Sequence, residues 1–173
     1  SIPFVNSLTD VDHPTQLLAD WLTIRENFGT DISGRKFVYM GDGNNMSHSW
    51  LIMGAIMGAH VVAATPSGKW APDPVVVAVA KNIAANSGGK VEVTNDPEAA
   101  AKDASVLYTD VWMSMGDSES DRKEKVQALS PFAVTENLMK LTSKDSLFMH
   151  CLPAHRGEEV EANVIDGPRS VIW

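Results

Sequence analysis

Five short apolar, β-rich runs recur along the chain, Phe37–Met40, His60–Ala64, Val91–Thr94, Ser105–Thr109 and Leu147–His150, and the segments between them carry apolar residues at helical spacing. Strand alternating with helix implies a parallel sheet covered on both faces. The helical segments have matching ends. Leu17, Leu18, Trp21, Leu22 and Phe28 follow Pro14 and precede Gly29, so the spacing predicts an amphipathic helix from about Pro14 to Phe28. Met46, Trp50, Leu51, Gly54 and Met57 share one side of a second helix. Asp73, with Pro74 in the first turn, caps a third that runs to Ala85, and Asp96-Pro97 opens a short one to Lys102. A polar stretch holding Asp117, Glu119, Asp121, Arg122, Lys123 and Glu124 leads into a helix ending near Leu129, and its charged residues from Asp117 to Lys125 read as a solvated loop and helix face. Further helical turns are expected at Glu136 to Leu141 and Glu158 to Asn163, and further strands at Ile2 to Val5 and Ser170 to Trp173.

The expected fold is α/β, a Rossmann-like doubly wound, mostly parallel sheet with helices on both faces, formed by residues 1–173 as one domain. Its 173 residues are enough to bury roughly 70% of the surface of the unfolded chain. No apolar run approaches the roughly 20 residues that span a bilayer, and Ser1 to Asp10 lack a basic start followed by an apolar stretch, so a cytoplasmic setting is expected. With one cysteine, Cys151, an intrachain disulfide and a four-cysteine zinc site are excluded. Asp and Glu number 22 against 14 Lys and Arg, a formal charge of −8, with no basic stripe, which argues against nucleic acid and against dense phosphate binding by this segment. The apolar ends Ile2-Pro3-Phe4-Val5 and Val171-Ile172-Trp173 read as cuts from a longer chain, with 1–12 an interdomain remnant.

Three polar segments follow predicted strands: Gly41-Asp42-Gly43-Asn44-Asn45, Asp110 to Gly116, and His150-Cys151-Leu152-Pro153. In open α/β sheets ligands gather at the carboxyl ends of strands, near the point where strand order reverses, so one composite site is expected. Gly41-x-Gly43 has Met46 at the third glycine position of a dinucleotide fingerprint, and the second strand ends without an acid, so no nicotinamide cofactor is expected. Asn44 and Asn45 taken alone are helix caps, whereas beside the other motifs an amide that donates and accepts suits a zwitterionic amino acid. Asp110 alone is a turn residue; next to Trp112 and Ser114-Met115-Gly116 it could hold an ammonium group. Cys151 is by type a small buried hydrophobe, and His150 should point to the opposite face, so a Cys/His hydrolase is disfavoured. His13 could donate to a developing oxyanion with Gln16 one turn on. The five histidines show no metal-ligand spacing, and no metal is expected.

Four segments in order, HPTQ at 13–16, Asn-Asn at 44–45, DVWMSMG at 110–116 and HCLP at 150–153, resemble the ornithine carbamoyltransferases across essentially the whole chain. Aspartate carbamoyltransferases are similar in fold but lack the Ser-Met-Gly loop and differ at the cysteine position. The resemblance implies transfer of a carbamoyl group from carbamoyl phosphate to the δ-amine of L-ornithine, giving citrulline and phosphate, in arginine metabolism and with no cofactor. It implies that Asn45, Asp110, Ser114 and Met115 hold ornithine, that His13, Pro14, Thr15, Gln16, Cys151 and Leu152 meet carbamoyl phosphate, and that Cys151, Asp110 and His13 serve catalysis. The family's Ser-x-Arg-Thr-Arg phosphate loop is not in this chain, so the expected half-site has negligible turnover alone; a homotrimer is implied for the full-length enzyme. The competing expectation is a noncatalytic amino-acid-binding or assembly module of the same fold.

Overall fold

Side chains at alternate positions of a strand face opposite sides of a sheet, and here both sides are apolar. Phe37, Tyr39, Val61, Ala63, Val106 and Tyr108 enter one buried cluster, while Val38, Met40, Val62, Ala64, Leu107 and Phe148 enter the other. The structure, a computed structural model, describes residues 2–113 and 119–173. Among these, five strands, β1 (Lys36–Met40), β2 (His60–Ala64), β3 (Lys90–Thr94), β4 (Val106–Thr109) and β5 (Leu147–His150), pair in parallel in the order β3-β2-β1-β4-β5.

One face is covered by α1 (Pro14–Phe28), α2 (Asn45–Ile56) and α3 (Pro74–Ser87). Leu17, Trp21 and Ile24 of α1 are buried there, with Trp50 and Leu51 of α2. The Trp50 and Tyr108 rings lie 4.7 Å apart, joining α2 to β4. The other face is covered by α4 (Pro97–Ala101), α6 (Glu136–Leu141) and α7 (Ala162–Ile165). Between α4 and α6 runs α5 (Glu119–Leu129). Caps set the helix starts: the Asp73 carboxylate accepts from Val75 N–H, Asp96 from Ala99 N–H and Thr135 from Leu138 N–H. Gly88, at φ 82, ends α3 in the left-handed conformation that glycine adopts without strain.

Four expectations from the sequence are corrected. Ile2 to Val5 pairs with no described strand and leaves Ile2 and Phe4 94% exposed, so apolar composition there is not strand formation. Ser170 to Trp173 makes one bridge, Phe148 to Ser170, rather than a ladder, although Val171 and Ile172 still pack against opposite clusters. The helical turn expected at Glu158 to Asn163 sits at Ala162–Ile165, because the buried Glu159 accepts hydrogen bonds in the turn before it. The polar segment ending in Lys125 is not wholly a solvated face: Lys125 is 3% exposed, and its ammonium lies 2.8 Å from the Asp42 carboxylate. That ion pair docks α5 on the β1–α2 turn.

Two substitutions test this packing. Gly54 of α2 lies against β2, where an added Cβ would collide with the Val61 side chain. Gly54→Ala should lower stability to urea by about 2 kcal/mol. Lys125→Met keeps the stem but strips Asp42 of a buried countercharge and should lose about 3 kcal/mol. Lys123→Met on the exposed side of α5 should stay within about 0.5 kcal/mol of the parent in the same titration.

Candidate active site

From β1 the chain proceeds outward through β2 to β3, whereas β4 and β5 lie on the other side of β1. The strand order therefore reverses between β1 and β4, and a crevice opens at their carboxyl ends. A cleft of about 800 Å³ occupies that position, lined by His13, Asn44, Asn45, Asp110, Cys151 and Leu152 among others. The ends of the two strands are locked together by Thr109, whose hydroxyl donates to the Met40 carbonyl at 2.7 Å.

Asn44 is the first fixed element. Its side-chain oxygen accepts from Met46 N–H at 3.0 Å, from Ser47 N–H at 3.2 Å and from the Tyr39 hydroxyl at 3.1 Å. A carbonyl oxygen so engaged leaves the amide nitrogen facing outward, and it donates to Asp110 Oδ2 at 2.9 Å. The other carboxylate oxygen of Asp110 accepts from Val111 N–H at 2.7 Å and from the Cys151 thiol at 3.0 Å. Burial first, and then the Asp110 carboxylate, push the Cys151 thiol well above its ordinary range. At neutral pH Cys151 is thus a hydrogen-bond donor rather than a thiolate nucleophile.

His150 and Cys151 diverge as strand alternation requires. His150 Nε2 faces Glu159 Oε1 at 3.3 Å on the opposite side of the sheet, and its Nδ1 accepts from Leu152 N–H at 2.8 Å. Leu152 is held at φ 60, a conformation that leucine rarely adopts and that clusters at functional sites. A Cys/His pair is therefore absent from the geometry of these two residues.

Of the HPTQ segment, His13 alone lines the cleft. Its backbone N–H donates to Ser49 at 2.7 Å, and its Nδ1 lies 2.6 Å from the Ser7 carbonyl oxygen. Nδ1 must then carry the hydrogen, so Nε2 can donate only as imidazolium, which narrows the oxyanion role expected from sequence. Pro14 lines an apolar groove between α1, α2 and α3, and Thr15 donates to the Ser7 carbonyl at 2.9 Å. Gln16 turns its amide inward to Asp20 Oδ1 at 3.0 Å. Asn45 lines the cleft and donates to the Thr9 carbonyl at 2.9 Å. Ser114 and Met115 lie outside the described residues.

Sequence reasoning missed the Asp42–Lys125 pair at the cleft, the anchoring role of Tyr39 and the buried Asp20. Asp20 had a signal: it shares the stripe of α1 that carries Leu17, Trp21 and Ile24, where a charge is out of place. Gly43, read as part of a failed cofactor fingerprint, has a packing reason, since a Cβ there would strike the Ala71-Pro72 backbone. Among the described residues His155, Glu158 and Glu159 stand close enough for one cation, but Glu158 is committed to Arg122 at 2.8 Å and Glu159 to His150.

Residues 33–173 match the family described as aspartate/ornithine carbamoyltransferase, Asp/Orn binding domain. The ornithine carbamoyltransferase of Pyrococcus abyssi is 53% identical over 173 residues, which is 100% of this chain and 54% of that protein. The solved ornithine carbamoyltransferase of Pyrococcus furiosus superposes with a TM-score of 0.90 at 52% identity, over 97% of this chain and 53% of its own. The ornithine transcarbamoylase of Giardia lamblia does so at 0.90 with 36% identity, over 99% and 57%. The chain spans about half the length of the curated relatives it matches. With the switch-point cleft, these likenesses establish that the chain belongs to the aspartate/ornithine carbamoyltransferase family, as its Asp/Orn binding domain.

Proposed function

We propose that residues 1–173 form the ornithine side of a carbamoyltransferase that makes L-citrulline and phosphate from L-ornithine and carbamoyl phosphate. The observation that carries this is the Asp110 carboxylate, presented to the cleft at the end of β4 and oriented by Asn44, Val111 and Cys151. An α-ammonium group is the complement of that carboxylate. Asn45 at the cleft wall supplies an amide for the rest of the amino acid, and Ser114 and Met115 complete the ornithine contacts. Cys151, Leu152 and His13, all at the cleft, meet the carbamoyl group; Pro14, Thr15 and Gln16 act by placing His13 and α1.

In this reaction the neutral δ-amine attacks the carbonyl carbon of carbamoyl phosphate and a C–N bond forms. The C–O bond to phosphate then breaks, and the surplus proton on nitrogen leaves with the departing phosphate. An alkylammonium is protonated at neutral pH, near 10.4 for lysine, so the site must favour loss of that proton. The Cys151–Asp110 pair, in which the thiol donates to the carboxylate, is the candidate device for favouring the free base. His13 as imidazolium stabilises the tetrahedral oxyanion.

No arginine is among the described residues that line the cleft, and Lys125 there faces Asp42. Phosphate recognition therefore belongs to a companion domain of the full-length protein, with 1–12 in the connection. A cytoplasmic enzyme of arginine metabolism, homotrimeric at full length and without a cofactor or a nucleic-acid partner, completes the proposal; no described helix is long and apolar enough to cross a membrane.

Calorimetric titration of L-ornithine into the 173-residue chain should show saturable binding, weakened about a hundredfold by Asp110→Asn. Equal affinity in the variant, or no binding by the parent, would overturn the assignment. Supplied with both substrates, the isolated chain should form no citrulline above the uncatalysed rate, and turnover at an ordinary enzyme rate would refute the half-site.

A further inference from the structure

One wall of the cleft is a chain segment held in place almost without side-chain burial. Leu8, Thr9, Asp10 and His13 line the cleft, yet residues 7–11 are all exposed, Leu8 by 54% and Val11 by 60%. The rest of the domain grips the segment by its alternate carbonyls. The Ser7 carbonyl accepts from the Thr15 hydroxyl at 2.9 Å, the Thr9 carbonyl from Asn45 Nδ2 at 2.9 Å, and the Val11 carbonyl lies 3.0 Å from His48 Nδ1. The Thr9 hydroxyl accepts from the Val11 and Asp12 N–H groups at 3.2 and 3.1 Å and folds the segment into a turn. Asn45, His48 and Ser49, the last of which accepts from the His13 N–H, stand at positions i, i+3 and i+4 of α2 and so share one face.

The place of the hydrogen on His48 is dictated from the far side of the ring. Its Nε2 faces the Asp73 N–H at 3.0 Å, and a backbone N–H can only donate. Nε2 is therefore bare, and the ring hydrogen sits on Nδ1, aimed at the Val11 carbonyl. Asp73 is itself fixed as the cap of α3, its carboxylate accepting from Val75 N–H at 2.7 Å. His48 is half-buried and lines the apolar groove between α1, α2 and α3 rather than the cleft, so whatever it does for the site passes through the turn.

We propose that His48 is a positioning residue for the carbamoyl side of the cleft: held in its Nδ1–H tautomer by the start of α3, it fixes the Val11 carbonyl and with it the turn that sets Thr9, Asp10 and His13 along the cleft wall. His13 depends on this turn twice, through its backbone N–H on Ser49 and through its Nδ1, which lies 2.6 Å from the Ser7 carbonyl oxygen. Without the Val11 anchor the chain from Thr9 to His13 has no buried side chain to hold it. The bearing of this on turnover rests on the reading of His13 as a carbamoyl contact. The tautomer and the His13 geometry are read without substrate, so failure of that reading and failure of the His48 role are distinguishable.

Long-range proton–nitrogen magnetic resonance spectra of the 173-residue chain at alkaline pH should show His48 with its hydrogen on Nδ1, and a nitrogen–nitrogen coupling across the hydrogen bond from the Asp73 amide to Nε2. A hydrogen on Nε2 overturns the proposal, whether or not any variant folds. Two variants then divide the bridge. His48→Asn places an amide nitrogen near the Nδ1 position, so it keeps a donor for Val11 but does not reach Asp73. His48→Gln reaches Asp73 with its amide oxygen and leaves the Val11 carbonyl without that donor. Each loses one hydrogen bond, and their urea midpoints should fall by similar amounts. The His13 ring resonances should stay as in the parent in His48→Asn and shift in His48→Gln, where exchange of the His13 amide hydrogen should also become about tenfold faster, the effect of one hydrogen bond on a local opening. Equal changes at His13 in the two variants, the pattern of a merely structural residue, or an unmoved His13 in His48→Gln overturns the proposal.

Discussion

A buried carboxylate must be given hydrogen bonds or lose its charge, and Asp110 is 9% exposed. Its partners come from three places in the sequence: Asn44 after β1, Val111 beside it and Cys151 after β5. Only a parallel sheet with β4 between β1 and β5 brings those carboxyl ends together. The requirement propagates backward. Asn44 can serve Asp110 because it also caps α2 and is pinned by Tyr39, and Tyr39 is placed by strand alternation into the cluster beneath α1 and α2. Helix start, strand register and site geometry are thus one arrangement.

Strand existence and helix phase were legible because both rest on local patterns. Phe37 to Met40 and Leu147 to His150 are apolar on both faces, and Asp73-Pro74 and Asp96-Pro97 cap and open helices with no tertiary help. The same alternation gave the divergence of His150 from Cys151. The ends of the chain misled, since Ile2, Phe4 and Trp173 are apolar yet exposed, and strand propensity without a partner does not form a ladder. The Asp42–Lys125 pair was out of reach for a different reason: 83 positions along the chain separate its members, and neither carries a local sign of burial.

Within the site, the gap between motif and geometry is widest in the HPTQ segment. Its four residues look like one unit in the sequence, but a helix distributes them around its axis. His13 reaches the cleft, Pro14 reaches an apolar groove, Thr15 reaches Ser7 and Gln16 reaches the buried Asp20. Gln16 therefore connects the motif to the interior rather than to the cleft, where Asp20 also accepts from the Tyr108 hydroxyl. Two buried, hydrogen-bonded acids of contrasting surroundings thus stand here, Asp110 at the cleft and Asp20 behind it.

The account turns on Asp110, oriented by the Asn44 amide, receiving the ammonium end of a cationic amino acid. Nuclear magnetic resonance of the Asn44 side-chain amide, followed while L-ornithine and, separately, L-aspartate are titrated into the chain, tests this most directly. The account predicts a saturable shift of the Asn44 amide with ornithine and a much weaker response to aspartate, whose extra carboxylate meets an acidic cleft holding Asp42 and Asp110. An equal response to both amino acids, or an Asn44 amide that ornithine does not move, would contradict it.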